Sequence, residues 1–271
     1  MPFEAELQAA LQAADRASQA IIKQYADFQA IPDAPASITT DVDRLSQALI
    51  LETLQAQFPN DAYCAEETTA SGSKVAESGP RLWVVDPIDG TRGFAMKNGE
   101  FSVMIAFLAD HEVAVGVVAE PAKGLLTYAV RGGGCWRRDG GAAEPTACKV
   151  TMVSELSASA LVQSRSKNPK EPGAEVRLIQ PGRVVETYSA GIKLAMVARG
   201  DVEMYVNNYP NFHDWDIAAG DILVTEAGGK VTGLHGEPLK YGQPGAKQRF
   251  GLLGTNGKIH DAVLKKLEAL Q

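Results

Sequence analysis

The sequence predicts a layered protein of helices and sheets, α+β in its first half and α/β in its second. Three observations carry this reading. Helical apolar spacing dominates the first 57 residues. From Trp83 onward, short apolar and β-branched runs are separated by turn signals. After about residue 146, strand-like and helix-like segments alternate. No internal repeat or low-complexity tract interrupts this order. The expected organisation is one unit over 1–271, built from an N-terminal half at 1–145 and a C-terminal half at 146–271.

Residues 4–29 read as a helix because Leu7, Leu11, Ala14, Ile21, Tyr25 and Phe28 recur at three- and four-residue steps. Pro32 and Pro35 make 31–37 a loop. A second helix is expected over 42–57, with Val42, Leu45, Leu49 and Leu54 on its inner stripe. Thr40 to Asp43 has the spacing of a capping box, with Asp in the last position. The apolar run 82–85 reads as a buried strand that ends in carboxylates. Segments 101–108, 113–119 and 125–130 form a meander, divided by Ala109-Asp110-His111 and by 121–124, so an antiparallel sheet is predicted. The Gly-, Pro- and Thr-rich stretch 132–146 reads as the passage into the second region. There, strands at 161–162, 203–206 and 250–254 alternate with helices at 192–199 and 217–227.

A chain of 271 residues can bury a substantial core, and 45% hydrophobic with 22% charged residues is ordinary for a globular protein. A net charge of -7 argues against a protein that coats nucleic acid. No run approaches the length of a membrane span, and the N-terminus lacks the basic and apolar regions of a signal peptide. Cys64, Cys135 and Cys148 have no zinc spacing, and any disulfide leaves one over. The expectation is a reduced, cytoplasmic protein with no nucleic-acid or membrane partner.

Chemistry concentrates at Trp83-Val84-Val85-Asp86-Pro87-Ile88-Asp89-Gly90-Thr91. Two carboxylates three apart, with the Ile88 carbonyl between them, offer hard oxygen ligands for a cation. The Gly90-Thr91 turn into a helix offers N–H groups to a phosphate. A carboxylate that follows an apolar strand enters a low-dielectric region and must be compensated. Plain roles exist for the other acids: Asp41 and Asp216 as helix caps, Glu66-Glu67 as solvated surface. A helix-loop-helix calcium site fails, because counting from Asp86 the glycine falls one place early and the twelfth residue is Lys97. An aspartyl-phosphate phosphatase needs one residue between its aspartates, and here there are two. A glycosidase pair is compatible with the spacing but gives no purpose to the Gly-Thr turn or the remaining acids.

Three strings, taken in order, resemble motifs of the inositol monophosphatase superfamily of magnesium-dependent, lithium-sensitive phosphatases. They are A-E-E at 65–67, W-V-V-D-P-I-D-G-T at 83–91, and W-D-I-A-A-G at 215–220 followed by E-A-G-G at 226–229. The resemblance implies a five-layered αβαβα sandwich and two or three Mg2+ ions. It makes Glu66, Asp86, the carbonyl of Ile88, Asp89 and Asp216 metal ligands, and Glu67 a further carboxylate beside them. It makes Thr91 and Asp41 the pair that orients and deprotonates an attacking water in direct, in-line hydrolysis. The family's threonine three residues before this aspartate is Ile38 here, with Thr39 and Thr40 next in line. The N–H groups of Gly90 and Thr91 would hold phosphate oxygens. His213 is expected to pack rather than to catalyse.

Within the superfamily, T-R-G-F at 91–94 followed by K-N-G-E-F-S-V at 97–103 resembles the 3'(2'),5'-bisphosphate nucleotidases, which remove the 3'-phosphate of adenosine 3',5'-bisphosphate. S-R-S-K at 164–167 resembles their S-R-S-H segment, with Lys167 in place of histidine, and S-A-G-I-K at 189–193 their S-x-[SG]-x-K segment. The implied substrate contacts are Ser164, Arg165, Lys167, Ser189 and Lys193, beside Gly90 and Thr91. A substrate with two phosphates benefits from added cations; the plain alternative is solvated loop and helix charges. An inositol monophosphatase, a histidinol-phosphate phosphatase and a catalytically inert regulatory member remain as alternatives. The expected partner is a small phosphorylated substrate, and the protein a monomer or homodimer.

Overall fold

The first two helices, α1 (Glu4–Asp27) and α2 (Asp41–Gln57), pack on each other and on one face of a sheet. Residues 2–35, 37–67, 78–140, 144–165, 172–209, 212–243 and 245–270 are described in this computed structural model. Leu7, Ala10, Ala14, Ala17 and Ile21 line the buried face of α1, with Leu11, Tyr25 and Phe28 half-buried against the same core. On α2 the buried stripe is Val42, Ser46, Ile50 and Leu54, so the predicted line through Leu45 and Leu49 is displaced. Leu45 is 38% exposed. The face is polar at its N-terminal end, where Asp43, Ser46 and Gln47 are buried, and hydrophobic spacing cannot find such a face.

The sheet beneath them contains β1 (Ala62–Ala65), β2 (Arg81–Asp89), β3 (Ser102–Ala109), β4 (Glu112–Glu120), β5 (Leu125–Val130), β6 (Gly134–Asp139) and β7 (Thr146–Cys148), in that order. Only β1–β2 is parallel. A single turn of helix, α3 (Thr91–Ala95), follows β2. The meander is therefore present, and it runs two strands further than predicted. β6 lies in the stretch read as a passage, where glycine and charged side chains mask the alternation, and β7 starts at its last residue and is too short to show any.

The second half comprises β8 (Ala160–Gln163), α4 (Ala174–Ile179), β9 (Arg183–Glu186), α5 (Ala190–Arg199), β10 (Met204–Asn207), β11 (Phe212–His213), α6 (Asp214–Glu226), β12 (Lys230–Thr232), β13 (Lys247–Gln248), β14 (Leu252–Thr255) and α7 (His260–Leu267). Five of these strands form a mixed sheet in the order β12-β14-β10-β8-β9, while β11 and β13 pair separately. Helices α5 and α6 pack together between the two sheets, and α7 covers the outer face of the second with α4 beside it. The result is the five-layered αβαβα sandwich. Alternation along β2 and β3 feeds both sides of the first sheet: Trp83, Val85 and Ile105 face α1 and α2, while Val84, Met104 and Ala106 face α5 and α6. No helix among the described residues is long and apolar enough to cross a membrane.

The central layer sits close enough to the first sheet to require a glycine. A Cβ on Gly116 of β4 would lie 2.4 Å from Ile222 Cγ2 and 2.6 Å from the Ala219 carbonyl oxygen of α6. Gly116→Ala is expected to lower unfolding free energy by about 1–3 kcal/mol, the usual range for overpacking. Urea denaturation of the variant beside the parent chain measures this; an unchanged midpoint would mean that the layers are not so tightly held.

Candidate active site

The site starts from an irregularity in β2. Asp86 pairs with Met104 and Asp89 with Ser102, so three steps along β2 match two along β3. That is a β-bulge, and it contains Pro87, which has no N–H to give to a ladder. Strict alternation would put Asp86 and Asp89 on opposite faces of the sheet. The bulge reverses the alternation: Ile88 packs in the core with Trp83 and Val85, and Asp89 turns toward α5, like Asp86 before it. The Ile88 N–H donates back to Asp86 Oδ1 at 3.1 Å, and Ser46 Oγ on α2 donates to the Pro87 carbonyl at 2.9 Å. The Ile88 carbonyl, out of the ladder, accepts from Thr91 Oγ1 at 2.9 Å. Gly90 makes the turn at φ 84°, and a Cβ there would lie 2.9 Å from the Glu100 carbonyl oxygen.

Thr91 identifies its own partner. Its hydroxyl lies 2.9 Å from Asp43 Oδ1, and Asp43 is fully buried. The other oxygen of Asp43 accepts from the Thr40 N–H at 2.9 Å and the Thr40 hydroxyl at 2.6 Å, closing the capping box of α2. Asp41, assigned to this role from sequence, is corrected: its side chain is fully exposed and touches Arg44. The helix start explains why. Asp41 is the first helical residue and points outward; Asp43, half a turn on, points inward. The family's threonine three places earlier is then Thr40, not Ile38. Burial raises the pKa of Asp43, against the lowering bonds from Thr40 and Thr91.

Glu66 and Glu67 follow β1, where the Glu66 N–H bonds the Val85 carbonyl at 3.2 Å. Gln47 of α2 clamps the Glu67 backbone from both sides, donating to its carbonyl at 2.7 Å and accepting its N–H at 2.9 Å. The Glu67 carboxylate accepts from Thr39 Oγ1 at 2.5 Å. Glu66 is exposed as a residue, yet its carboxyl is drawn in against Asp86. Burial there pushes its pKa up to about 8, opposed by the bond with Asp86 and aided by repulsion from Asp216, Glu67 and Asp43. Burial, then Glu66 and Asp89, push Asp86 well above the carboxylate range. Asp216 sits in the first turn of α6, where its Oδ2 accepts the His213 N–H at 2.6 Å. His213 stacks flat on Trp215 with centroids 4.3 Å apart and caps the helix.

Asp89 is held by α5. Its Oδ2 accepts from the Ser189 hydroxyl and, at 2.7 Å, from the Gly191 N–H. Ser189 caps α5 through Ile192 N–H and adopts φ 66°, a conformation disfavoured for a residue with a Cβ. Lys193 sustains this turn. Its Nζ donates to the Ser189 carbonyl at 3.0 Å and lies 5.2 Å from the Tyr205 ring centre, with the residue 2% exposed. Burial lowers its pKa to about 8, against the raising effect of Asp89 and Glu100. Lys193 is therefore a cation beneath the site, corrected from a substrate contact, because α5 is enclosed between two sheets. Ser189 likewise bonds Asp89 rather than standing free. Arg165 forks onto Glu100, which also accepts the Tyr188 N–H at 3.1 Å. Arg165 and Arg92 lie 6.0 and 5.4 Å from the Tyr188 ring centre, and the Nε of Arg92 is buried with no hydrogen-bond partner. Ser164 is exposed, and Lys167 lies outside the described residues. Sequence reasoning assigned no site role to Asp43, Glu100, Tyr188 or Arg92, although the Thr40-x-x-Asp43 spacing and the strings at 91–94 and 97–103 contain the first, second and fourth of them.

Among the described residues, no three acids, histidines or cysteines close around a single point as a finished metal cage. The Glu66 carboxyl instead lies beside Asp86 and raises its cost of ionisation. The donor set nevertheless fits a hard divalent cation. It is all oxygen, it includes a backbone carbonyl outside any ladder, and its buried carboxyls repel one another until protons or a cation neutralise them.

The model of the inositol monophosphatase family matches residues 4–271. Histidinol-phosphatase of Mycobacterium tuberculosis is 33% identical over 269 residues, covering 97% of this chain and 98% of that protein. Fructose-1,6-bisphosphatase/inositol-1-monophosphatase of Thermotoga maritima is 32% identical, covering 84% and 81%. The solved inositol monophosphatase from Anabaena superposes with a TM-score of 0.79 at 30% identity, over 99% of this chain and 97% of that one.

Titration calorimetry with Mg2+ tests the donor set without an assay of turnover. Asp89→Asn is expected to weaken binding about tenfold or more, since it removes a charged ligand. Asp41→Asn is expected to stay within about twofold of the parent chain, as screened surface charges do. The reverse order of effects would overturn the assignment.

Proposed function

The chain belongs to the inositol monophosphatase family, and from that premise we propose that it is a Mg2+-dependent phosphomonoester hydrolase acting on adenosine 3',5'-bisphosphate to give AMP and phosphate. A phosphatase of this family is the coarser statement, and the family match carries it. The metal and the substrate are the proposal.

One observation carries the hydrolytic reading: the Thr91 hydroxyl is poised between a buried carboxylate and the carbonyl of a bulged, acid-lined strand end. Glu66, Asp86, the Ile88 carbonyl, Asp89 and Asp216 would hold Mg2+. Bound there, the metal supplies Lewis-acid neutralisation of phosphate charge and makes water more acidic. The chain's own residues handle the proton. Thr91 has one hydroxyl proton and two acceptors. Giving that proton to Asp43 frees a lone pair on Oγ1 to receive one from the attacking water. The burial that raises the pKa of Asp43 makes its carboxylate a better proton acceptor. Glu67, fixed by Gln47 and Thr39, adds negative charge beside this relay. The N–H groups at the Gly90-Thr91 turn are suited to phosphate oxygens.

Support for the nucleotide comes from the meeting of the nucleotidase-like segments. Glu100 of the 97–103 segment joins Arg165 of the second segment to Tyr188, the neighbour of Ser189. Two guanidiniums flank one aromatic ring, a combination suited to a base and a second phosphate. A second reading, a monophosphate such as inositol 1-phosphate or histidinol phosphate, is favoured by a specific observation. Arg165 is already paired with Glu100, and Lys193 is buried away from solvent.

Phosphate release from the three substrates, with Mg2+ and with chelator, distinguishes these readings. The bisphosphate is expected to give the highest kcat/KM, activity is expected to vanish with chelator and to fall with Li+, and Arg165→Ala is expected to raise KM for the bisphosphate more than for either monophosphate. A tenfold preference for a monophosphate would reassign the substrate. No release from any of them would leave the inert regulatory member as the better account.

A further inference from the structure

Two of the three cysteines lie far from the acid cluster and serve no step above. Cys135 of β6 and Cys148 of β7 are direct partners across an antiparallel ladder. Opposed residues in such a ladder have Cα atoms about 4.5–5.5 Å apart, within the span a disulfide closes without moving the backbone. Both side chains point into the core between the first sheet and α5 and α6, where the Cys148 thiol donates to the Thr146 carbonyl at 3.9 Å. We propose that Cys135 and Cys148 form a reversible dithiol–disulfide couple at the end strand of the seven-stranded sheet.

Several features suit the pair to this chemistry. β7 is three residues long and, among the described residues, is the last strand of its sheet, with Thr146 and Ala147 exposed. A short end strand opens locally at small cost, giving a small oxidant access to a thiol that is 8% exposed when closed. The adjacent Cys135 sulfur, together with the Arg199 and Arg137 guanidiniums, lowers the pKa of Cys148 against the raising effect of burial. Cys148 is also the more accessible sulfur, at 8% against 2% exposed, so it meets the oxidant first and Cys135 resolves. Cys64 sits on β1, the opposite end strand of the same sheet, and is not a competing partner.

With hydrogen peroxide as oxidant the step balances. The Cys148 thiolate attacks one peroxide oxygen, the O–O bond breaks, and the departing hydroxide takes a proton to become water. The Cys135 sulfur then attacks the resulting sulfenic sulfur, and its own proton leaves with the hydroxyl as a second water. The two sulfurs lose two electrons and peroxide gains them. A small dithiol reverses the bond by exchange.

The experiment uses the whole purified chain. It is exposed to peroxide, alkylated in denaturant and digested with trypsin. The expected product is the peptide 132–137 joined to the peptide 139–149, two hydrogens lighter than the pair, with Cys64 still alkylated. Dithiothreitol should restore three alkylated cysteines, and Cys148→Ser or Cys135→Ala should abolish the joined peptide. Three alkylated cysteines after peroxide, or a joined product containing Cys64, would overturn the proposal. The parent chain alone gives this answer should either variant fail to fold.

Discussion

Mutual repulsion among buried carboxyls is the constraint on which the site depends. Asp43, Asp86 and Asp89 are each less than a tenth exposed, and Glu66 presses its carboxyl against Asp86. A low-dielectric setting disfavours each charge, and proximity disfavours them together. The fold counters this with a set of fixed dipoles. Thr91 opens α3, Asp43 lies in the first turn of α2, Asp216 in that of α6, and Asp89 accepts an N–H from the first turn of α5. Four helix N-termini therefore meet one acidic cluster, and each favours negative charge. Lys193 adds a full positive charge from below. A hard cation bound there would neutralise the negative charge that these leave.

The scaffold converts that requirement into geometry through one extra residue. The bulge at Pro87-Ile88 turns two carboxylates onto the same face and releases a carbonyl from the ladder. Gly90 turns the chain at a positive φ into α3, which brings the Thr91 hydroxyl back toward Asp43. The disfavoured conformation of Ser189 does equivalent work on the other side, presenting a hydroxyl and an N–H to one oxygen of Asp89. Lys193 holds that turn by its carbonyl, so the cation and the strained backbone form one device.

Much of this was legible in the sequence, and the exceptions share a cause. The apolar strand ending in Asp86-Pro-Ile-Asp89-Gly-Thr91 announces buried charge, because nothing else explains carboxylates after such a run. Thr40-x-x-Asp43 was legible as a cap, and the same two residues turn out to supply the buried carboxylate beside Thr91. Asp41 misled because spacing along a chain does not tell which side of a helix faces inward when the buried stripe is polar. Lys193 misled for a different reason: a lysine in a helix is ordinarily solvated, and only the second sheet closing over α5 buries it. β6 was invisible because its glycine and charged side chains break the alternation that marks a strand, and β7 because three residues are too few to show one.

Thr91 and its acidic partner are the test of the whole arrangement. Single-turnover kinetics on Asp43→Asn and Asp41→Asn, at saturating Mg2+ and substrate, separates the two aspartates that sequence and structure assign differently. Loss of a proton-accepting carboxylate should slow the Asp43→Asn chain by about 10²–10⁴-fold, with Asp41→Asn close to the parent. Equal rates for the two variants, or a slower Asp41→Asn, would contradict the account.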